Sequence, residues 1–255
     1  MEVVDFHIHP PIGKEANICH YRDTVENSEA TILSDMQRAG ISRFCGSVIL
    51  KDSDPVSLLE RTNTETLALA ERFGGAYIPG AMIHPAAVRE SCEWLEKMHK
   101  AGCRLIGEIV PYIHRWEGGY RNPALREILS LAGELSMVVS YHSTDDVAGE
   151  MAMVSENPDT TFVAAHPGEK TRFLAHLDSM KQYKNLCLDL SGTGLFRYGL
   201  LREGVKTLGA ERFLFGTDYP ICNPMAYRAA VEYEPISDAD KELIFSGNAK
   251  RLLGL

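Results

Sequence analysis

Eight apolar runs of strand length, separated by segments with helical spacing, recur from one end of the chain to the other. They are VVDFHIH (3–9), RFCGSVIL (43–50), GAYIPGAMI (75–83), CRLIGEIV (103–110), MVVSYH (137–142), TTFVAAH (160–166), LCLDLS (186–191) and RFLFGTD (212–218). Most are apolar on both alternating faces, as parallel strands covered on both sides must be. The segments between them carry helical patterns. In NSEATILSDMQRAG (27–40), Ile32, Leu33, Met36 and Ala39 share one face, and Gly40 suits the C-terminal cap. AAVRESCEWLEKMHKAG (86–102) repeats this with Val88, Trp94, Leu95 and Met98. Asn122 with Pro123 suits the start of the next helix, and Ser143 or Thr144 the one after. EKTRFLAHLDSM (169–180) and LFRYGLLREGVKTL (195–208) follow.

Eight βα units in 255 residues predict a (β/α)8 TIM barrel, regular or distorted, spanning residues 1–255 as one domain. No Pro/Gly-rich linker or low-complexity stretch divides the chain. The rival, a doubly wound open sheet, calls for a phosphate-binding glycine loop after strand one. That loop here is HPPIGKEANIC (9–19), with the lone Gly13.

The net charge of −9 argues against nucleic acid and anionic membrane as partners. No run of eighteen apolar residues predicts a membrane span, and the first residues lack the pattern of a secretory leader. The six cysteines include no CxxC pair, and Cys45, Cys103 and Cys187 sit inside apolar runs as small hydrophobes. These features predict a reduced, cytoplasmic protein that acts on a small molecule, as a monomer or a homo-oligomer.

The titratable residues fall at the strand ends, where such barrels build their sites. His7 and His9 are two apart on the first strand, so their side chains share a face, and Pro10 and Pro11 end the run. His84 follows the third strand, Glu108 lies near the end of the fourth, and His142, His166 and Asp218 end the fifth, sixth and eighth. Nitrogen and carboxylate donors together suit a divalent metal: zinc first, with manganese or iron(II) as alternatives. Tyr112, His114 and Arg115, just past the fourth strand, and His84 are candidate substrate contacts. Asp5 is placed beneath the histidines as a hydrogen-bonding partner, Asp189 in a structural polar role, and His20, His99 and His176 in solvent.

DFHIH (5–9) resembles the D-x-H-x-H opening of the amidohydrolase superfamily. AHPG (165–168) resembles its strand-six histidine. FGTDYP (215–220), LDLSG (188–192) and GNAKRLLGL (247–255) resemble the branch that contains the aminocarboxymuconate-semialdehyde decarboxylase relatives and many metal-dependent hydrolases. The resemblance implies that His7, His9, His142 and Asp218 hold a metal, that His166 activates its water, and that Asp218 also accepts a proton. Glu108 stands where dinuclear relatives carry a lysine, which permits a second metal and weakens the decarboxylase analogy. The expected function is therefore metal-dependent hydrolysis of an amide, lactone or ester. A non-oxidative decarboxylase using the same metal, favouring a pocket arginine, is the alternative, and a non-catalytic ligand-binding barrel comes third.

Overall fold

The computed structural model describes residues 1–10, 28–194 and 197–255. The expectations for Pro11, Gly13, Cys19 and His20, and for the start of the segment at Leu195, lie outside them.

Eight parallel strands run side by side in sequence order. They are β1 (Val4–Asp5), β2 (Arg43–Gly46), β3 (Tyr77–Ala81), β4 (Leu105–Ile109), β5 (Val138–His142), β6 (Thr161–Ala165), β7 (Leu186–Asp189) and β8 (Phe213–Leu214). The strands are shorter than the apolar runs that contain them. In the best-paired region, Val139 of β5 faces Phe162 of β6, and Phe162 faces Leu186 of β7. Closure comes from the chain just past β1 and β8. Phe6 N–H donates to the Phe215 carbonyl, Asp218 N–H to His7, and His9 N–H to Tyr219. The two segments carrying the most distinctive motifs are thus the ones that zip the barrel shut.

Val4, Phe6, Cys45, Ile78, Leu105, Val138, Val163, Cys187 and Leu214 form one buried cluster. A group drawn from all eight strands can meet only on the barrel axis, where Ala249 and Leu253 complete it. A second, larger cluster lies between strands and helices; it contains Phe44, Leu95, Ile128, Phe162, Phe173 and Phe213.

The helices are α1 (Glu29–Arg38), α2 (Pro55–Arg72), α3 (Val88–Lys100), α4 (Leu125–Glu134), α5 (Val147–Glu156), α6 (Lys170–Gln182), α7 (Leu200–Leu208) and α8 (Pro224–Tyr233), then α9 (Asp238–Glu242), a π-helical turn (Leu243–Gly247) and α10 (Asn248–Leu253). Two corrections concern helix starts. α5 is capped by Asp146, whose side chain accepts from Gly149 N–H, and not by Ser143 or Thr144. α4 begins at Leu125, with Asn122 accepting from Ala124 N–H one turn ahead of it. The 18-residue α2 was not anticipated, because its buried face includes the polar Thr62, Asn63 and Thr66. Its start is nevertheless well signalled: Asp54 caps Val56 and Ser57, and Pro55 occupies the first turn. Asn63 earns its burial by bonding both backbone groups of Met82 at the end of β3. His176, expected in solvent, is buried in α6. Cys45, Cys103 and Cys187 are free and buried. Among the described residues, no helix is long and apolar enough to cross a membrane.

Candidate metal centre

His7 and His9 follow β1 where pairing with Phe215–Tyr219 keeps the backbone extended, so their rings project together. Their Nε2 atoms lie 3.1 Å apart. The other ring nitrogens are committed to acceptors: His7 Nδ1 is 2.8 Å from Asp189 Oδ2, and His9 Nδ1 is 3.5 Å from the Ser47 carbonyl. Each Nδ1 therefore carries the hydrogen in the neutral ring, and both Nε2 atoms present lone pairs. Carboxylates face the same point. Glu108 Oε2 lies 3.7 Å from His7 Nε2 and 3.3 Å from His9 Nε2, and Asp218 Oδ1 lies 3.6 and 3.4 Å from them. Four electron-pair donors aimed at one place, all buried, need a positive charge between them. A divalent cation with nitrogen and oxygen ligands fits that requirement.

Electrostatics says the same. Burial pushes the His7 imidazole down, but Asp189, Glu108 and Asp218 outweigh it and raise it to about 10. Burial would raise Glu108, yet His7 and hydrogen bonds with His142, His166 and His9 hold its carboxyl well below the usual range. Burial leaves Asp218 raised against the pull of the surrounding imidazoles.

Two donor sets lie within 4.8 Å: His7–His9–Asp218 and His7–Glu108–His166. This differs from the expected division of roles. His166, assigned to water, belongs to the second set; its Nε2 lies 3.2 Å from Glu108 Oε1. His142, assigned as a ligand, belongs to neither; its Nδ1 lies 2.9 Å from Glu108 Oε1 and 3.2 Å from His166 Nε2. Glu108 is thus the hub that joins the two groups.

The backbone at the β6 and β8 ends is unusual for non-glycine residues: His166 has φ 69° and Asp218 φ 65°. Such conformations cost about 1–3 kcal/mol and concentrate at functional sites. Behind His166, Gly192 turns with φ +63°, and a Cβ there would meet His166 Nδ1 at 2.2 Å. Ser191 donates to Asp189 Oδ1 at 2.5 Å, and its Oγ lies 3.1 Å from the Nδ1 atoms of both His7 and His166. Asp5 is buried beneath the histidines as a hydrogen-bonding partner, as expected, though it holds backbone and not rings: its carboxylate accepts from His7 N–H, Thr217 N–H and the Thr217 hydroxyl. The ring-orienting carboxylate is Asp189, and carboxylates behind ligating histidines fix tautomer and orientation.

A cavity of about 560 Å³ opens over the cluster, walled by Tyr112, His142–Asp145, His166, Gly168, Arg172, Gly192, Thr193 and Asp218. Of the four candidate substrate contacts, Tyr112 is in this wall, its ring edge-on to His142 at 5.2 Å. The other three lie outside this wall among the described residues. His84 is buried with Nε2 on the His114 carbonyl and Nδ1 accepting from Ala86 N–H. His114 is buried with Nε2 on the Leu50 carbonyl. Arg115 is exposed and lies outside the wall. Arg172, which the sequence did not single out, is in the wall; it stands in the first turn of α6, where nothing in the pattern marks one charge above its neighbours. Asp189 was visible as the lone acid in an apolar strand but gave no sign of its partner.

Fold and donors together define a class: barrels whose strand ends can hold a divalent cation. The family model described as Amidohydrolase matches residues 4–255, and the chain belongs to that family. Among solved structures, the chain is similar to 2,6-dihydroxybenzoate decarboxylase complexed with 2,6-dihydroxybenzoate (TM-score 0.81, 15% identity, 100% of both chains). It is similar also to dihydroxybenzoic acid decarboxylase from Polaromonas sp. JS666 with manganese and 2-nitroresorcinol (0.79, 15%, 100% of this chain and 97% of that one). A third is 5-carboxyvanillate decarboxylase from Sphingomonas paucimobilis (0.74, 12%, 100% and 99%). At these identities the likeness is one of fold. No curated protein sequence matches the chain.

Proposed function

We propose that the chain is a metal-dependent, non-oxidative decarboxylase of a small aromatic or otherwise unsaturated carboxylic acid. The observation that carries this reading is the convergence of His7, His9 and Asp218, with Glu108 within 3.7 Å of both histidines, beneath a cavity that also presents an arginine. Three decarboxylases share the fold over the whole chain, which favours this reading over hydrolysis. The residues that would hold the cation are His7, His9 and Asp218, with Glu108 bridging towards His166. Manganese comes first, by likeness to the Polaromonas structure, with zinc and iron(II) as alternatives. A bound cation would draw electron density from a substrate oxygen and stabilise negative charge in the ring or chain.

This chain's own residues supply the rest. Loss of carbon dioxide leaves an electron pair on carbon, which must take a proton. Within the cluster, His142, His166 and Asp218 reach the cavity wall, so the proton passes from the Asp218 carboxyl or the His166 imidazole. Tyr112 and His142, near-perpendicular rings in the wall, offer aromatic surface against which a planar acid can lie. Burial of His7, His9 and Glu108 beneath that floor keeps water from competing for the donors.

Hydrolysis stays as a second reading because of one observation, the placing of Glu108 among the donors, which permits a second metal and a directed water. The two are separated by incubating manganese-loaded protein with carboxyl-labelled 2,6-dihydroxybenzoate and 5-carboxyvanillate in heavy water. Labelled carbon dioxide, with deuterium on the vacated carbon, supports decarboxylation. Inertness towards these acids, with turnover of lactones or esters, would replace it with hydrolysis.

A further inference from the structure

The LDLSG segment (188–192) at the end of β7 does more than place Asp189 behind His7. Asp189 and Ser191 are two apart, and Leu190 between them stays paired through its N–H to the Leu214 carbonyl, so the two side chains share a side. Ser191 is fully buried. Its Oγ lies 2.5 Å from Asp189 Oδ1, a short charge-assisted bond that takes the one hydrogen the hydroxyl has. The lone pairs left on Oγ meet two ring nitrogens, His7 Nδ1 and His166 Nδ1, each at 3.1 Å.

For His7 the carboxylate is the nearer acceptor, at 2.8 Å. For His166 the partners of Nδ1 among the described residues are Ser191 Oγ and the Ser191 carbonyl, the latter at 3.3 Å. A carbonyl only accepts, and the hydroxyl has given its hydrogen to Asp189, so Nδ1 of the neutral His166 ring carries the hydrogen. Nε2 then presents its lone pair on the side of the donor cluster, where Glu108 Oε1 lies at 3.2 Å. Glycine seats the hydroxyl in this place: a Cβ on Gly216 would meet the Cβ atoms of His7 and Ser191 at 3.0 and 3.1 Å.

We infer that Ser191 is the positioning residue of His166: its hydroxyl, oriented by Asp189, holds the imidazole in the tautomer with hydrogen on Nδ1 and the lone pair on Nε2. One carboxylate thus sets His7 directly and His166 through a single serine. The consequence for turnover rests on the decarboxylase reading above, in which His166 serves the reaction. The tautomer itself does not.

The test is the nitrogen-15 NMR spectrum of the histidine rings in protein carrying one zinc ion per chain, a diamagnetic ion. The His166 signals are those missing from His166→Gln. Wild-type His166 should show hydrogen on Nδ1. Ser191→Ala strands no charge, because Asp189 keeps His7 Nδ1, His166 N–H and the backbone N–H of residue 191. It should move the His166 tautomer ratio towards Nε2–H by about 3- to 10-fold, the effect of one hydrogen bond. In the manganese-loaded protein it should lower kcat on 2,6-dihydroxybenzoate by about 10- to 100-fold with KM little changed. Ser191→Thr, which keeps a hydroxyl, should recover part of both. Hydrogen on Nε2 in the wild type would overturn the inference, and so would a loss of kcat in Ser191→Ala with the His166 signals unchanged. A tautomer shift in a protein that turns over no carboxylic acid would uphold the role of Ser191 and overturn the decarboxylase reading instead.

Discussion

Asp189 and His7 stand 182 residues apart in sequence and meet at 2.8 Å, both buried, on the side of the imidazole away from the donor cluster. The carboxylate fixes the hydrogen on Nδ1 and so keeps Nε2 free as a donor. Replacing Asp189 with alanine should lower metal affinity about 10- to 100-fold, as loss of such partners does elsewhere. Metal content after dialysis against a graded chelator series, alongside circular dichroism, measures this. Undiminished metal in a folded variant would show that His7 does not depend on Asp189.

His166 and His7 should separate in a metal assay. His7 belongs to both donor sets, His166 to one. His7→Ala should therefore lose most bound metal, and His166→Ala should keep one ion per chain but lose activity by about 100-fold or more if it moves the proton. Equal metal loss in both variants would make His166 a ligand first.

Gly192 sets the position of His166 through space. Gly192→Ala would place Cβ 2.2 Å from His166 Nδ1, at a φ of +63° where alanine is itself strained. Thermal stability should fall by about 1–3 kcal/mol, and turnover should fall further than that strain explains. A variant with wild-type kinetics would mean that the ring moves aside without consequence.

Asn63 tests the fold away from the site. It is fully buried on α2 and bonds Met82 N–H at 2.7 Å and the Met82 carbonyl at 3.0 Å. Asn63→Ala leaves both backbone groups unpaired and should cost about 2–4 kcal/mol in urea unfolding. A loss under half that would place water in the gap.

Acid sensitivity should follow the buried histidines. Burial, against the bond to the Leu50 carbonyl, pushes His114 down to about 4, and burial with the nearby Arg172 charge pushes His176 down to about 3. Between pH 6.5 and these values the unfolded chain binds protons that the folded chain refuses. Stability is therefore full above about pH 6.5 and falls on acidification, by up to about 1.4 kcal/mol per pH unit for each histidine. His114→Gln, which can still donate to Leu50, should flatten the acid limb by one such increment in urea titrations between pH 4.5 and 6.5. An unchanged slope would mean that His114 is not held neutral.

Local chemistry in the sequence determined much of this protein. Apolar runs covered on both faces specify parallel strands, and eight of them with helical segments between specify the barrel. His7 and His9 share a face because an extended chain has a period of two, and Glu108, His142, His166 and Asp218 fall at strand ends where a barrel gathers them. Tertiary structure alone decided the rest. α2 is amphipathic in a way that hydrophobicity does not report, since Asn63 is buried for its hydrogen bonds. His84 and His114 follow strands yet face backbone carbonyls, because position in a loop does not set direction. Asp189 behind His7, Glu108 between His142 and His166, and Arg172 on Glu150 are contacts between residues 22 to 182 positions apart. Their distances depend on how the barrel closes, and no local pattern along the chain encodes which side chains will meet.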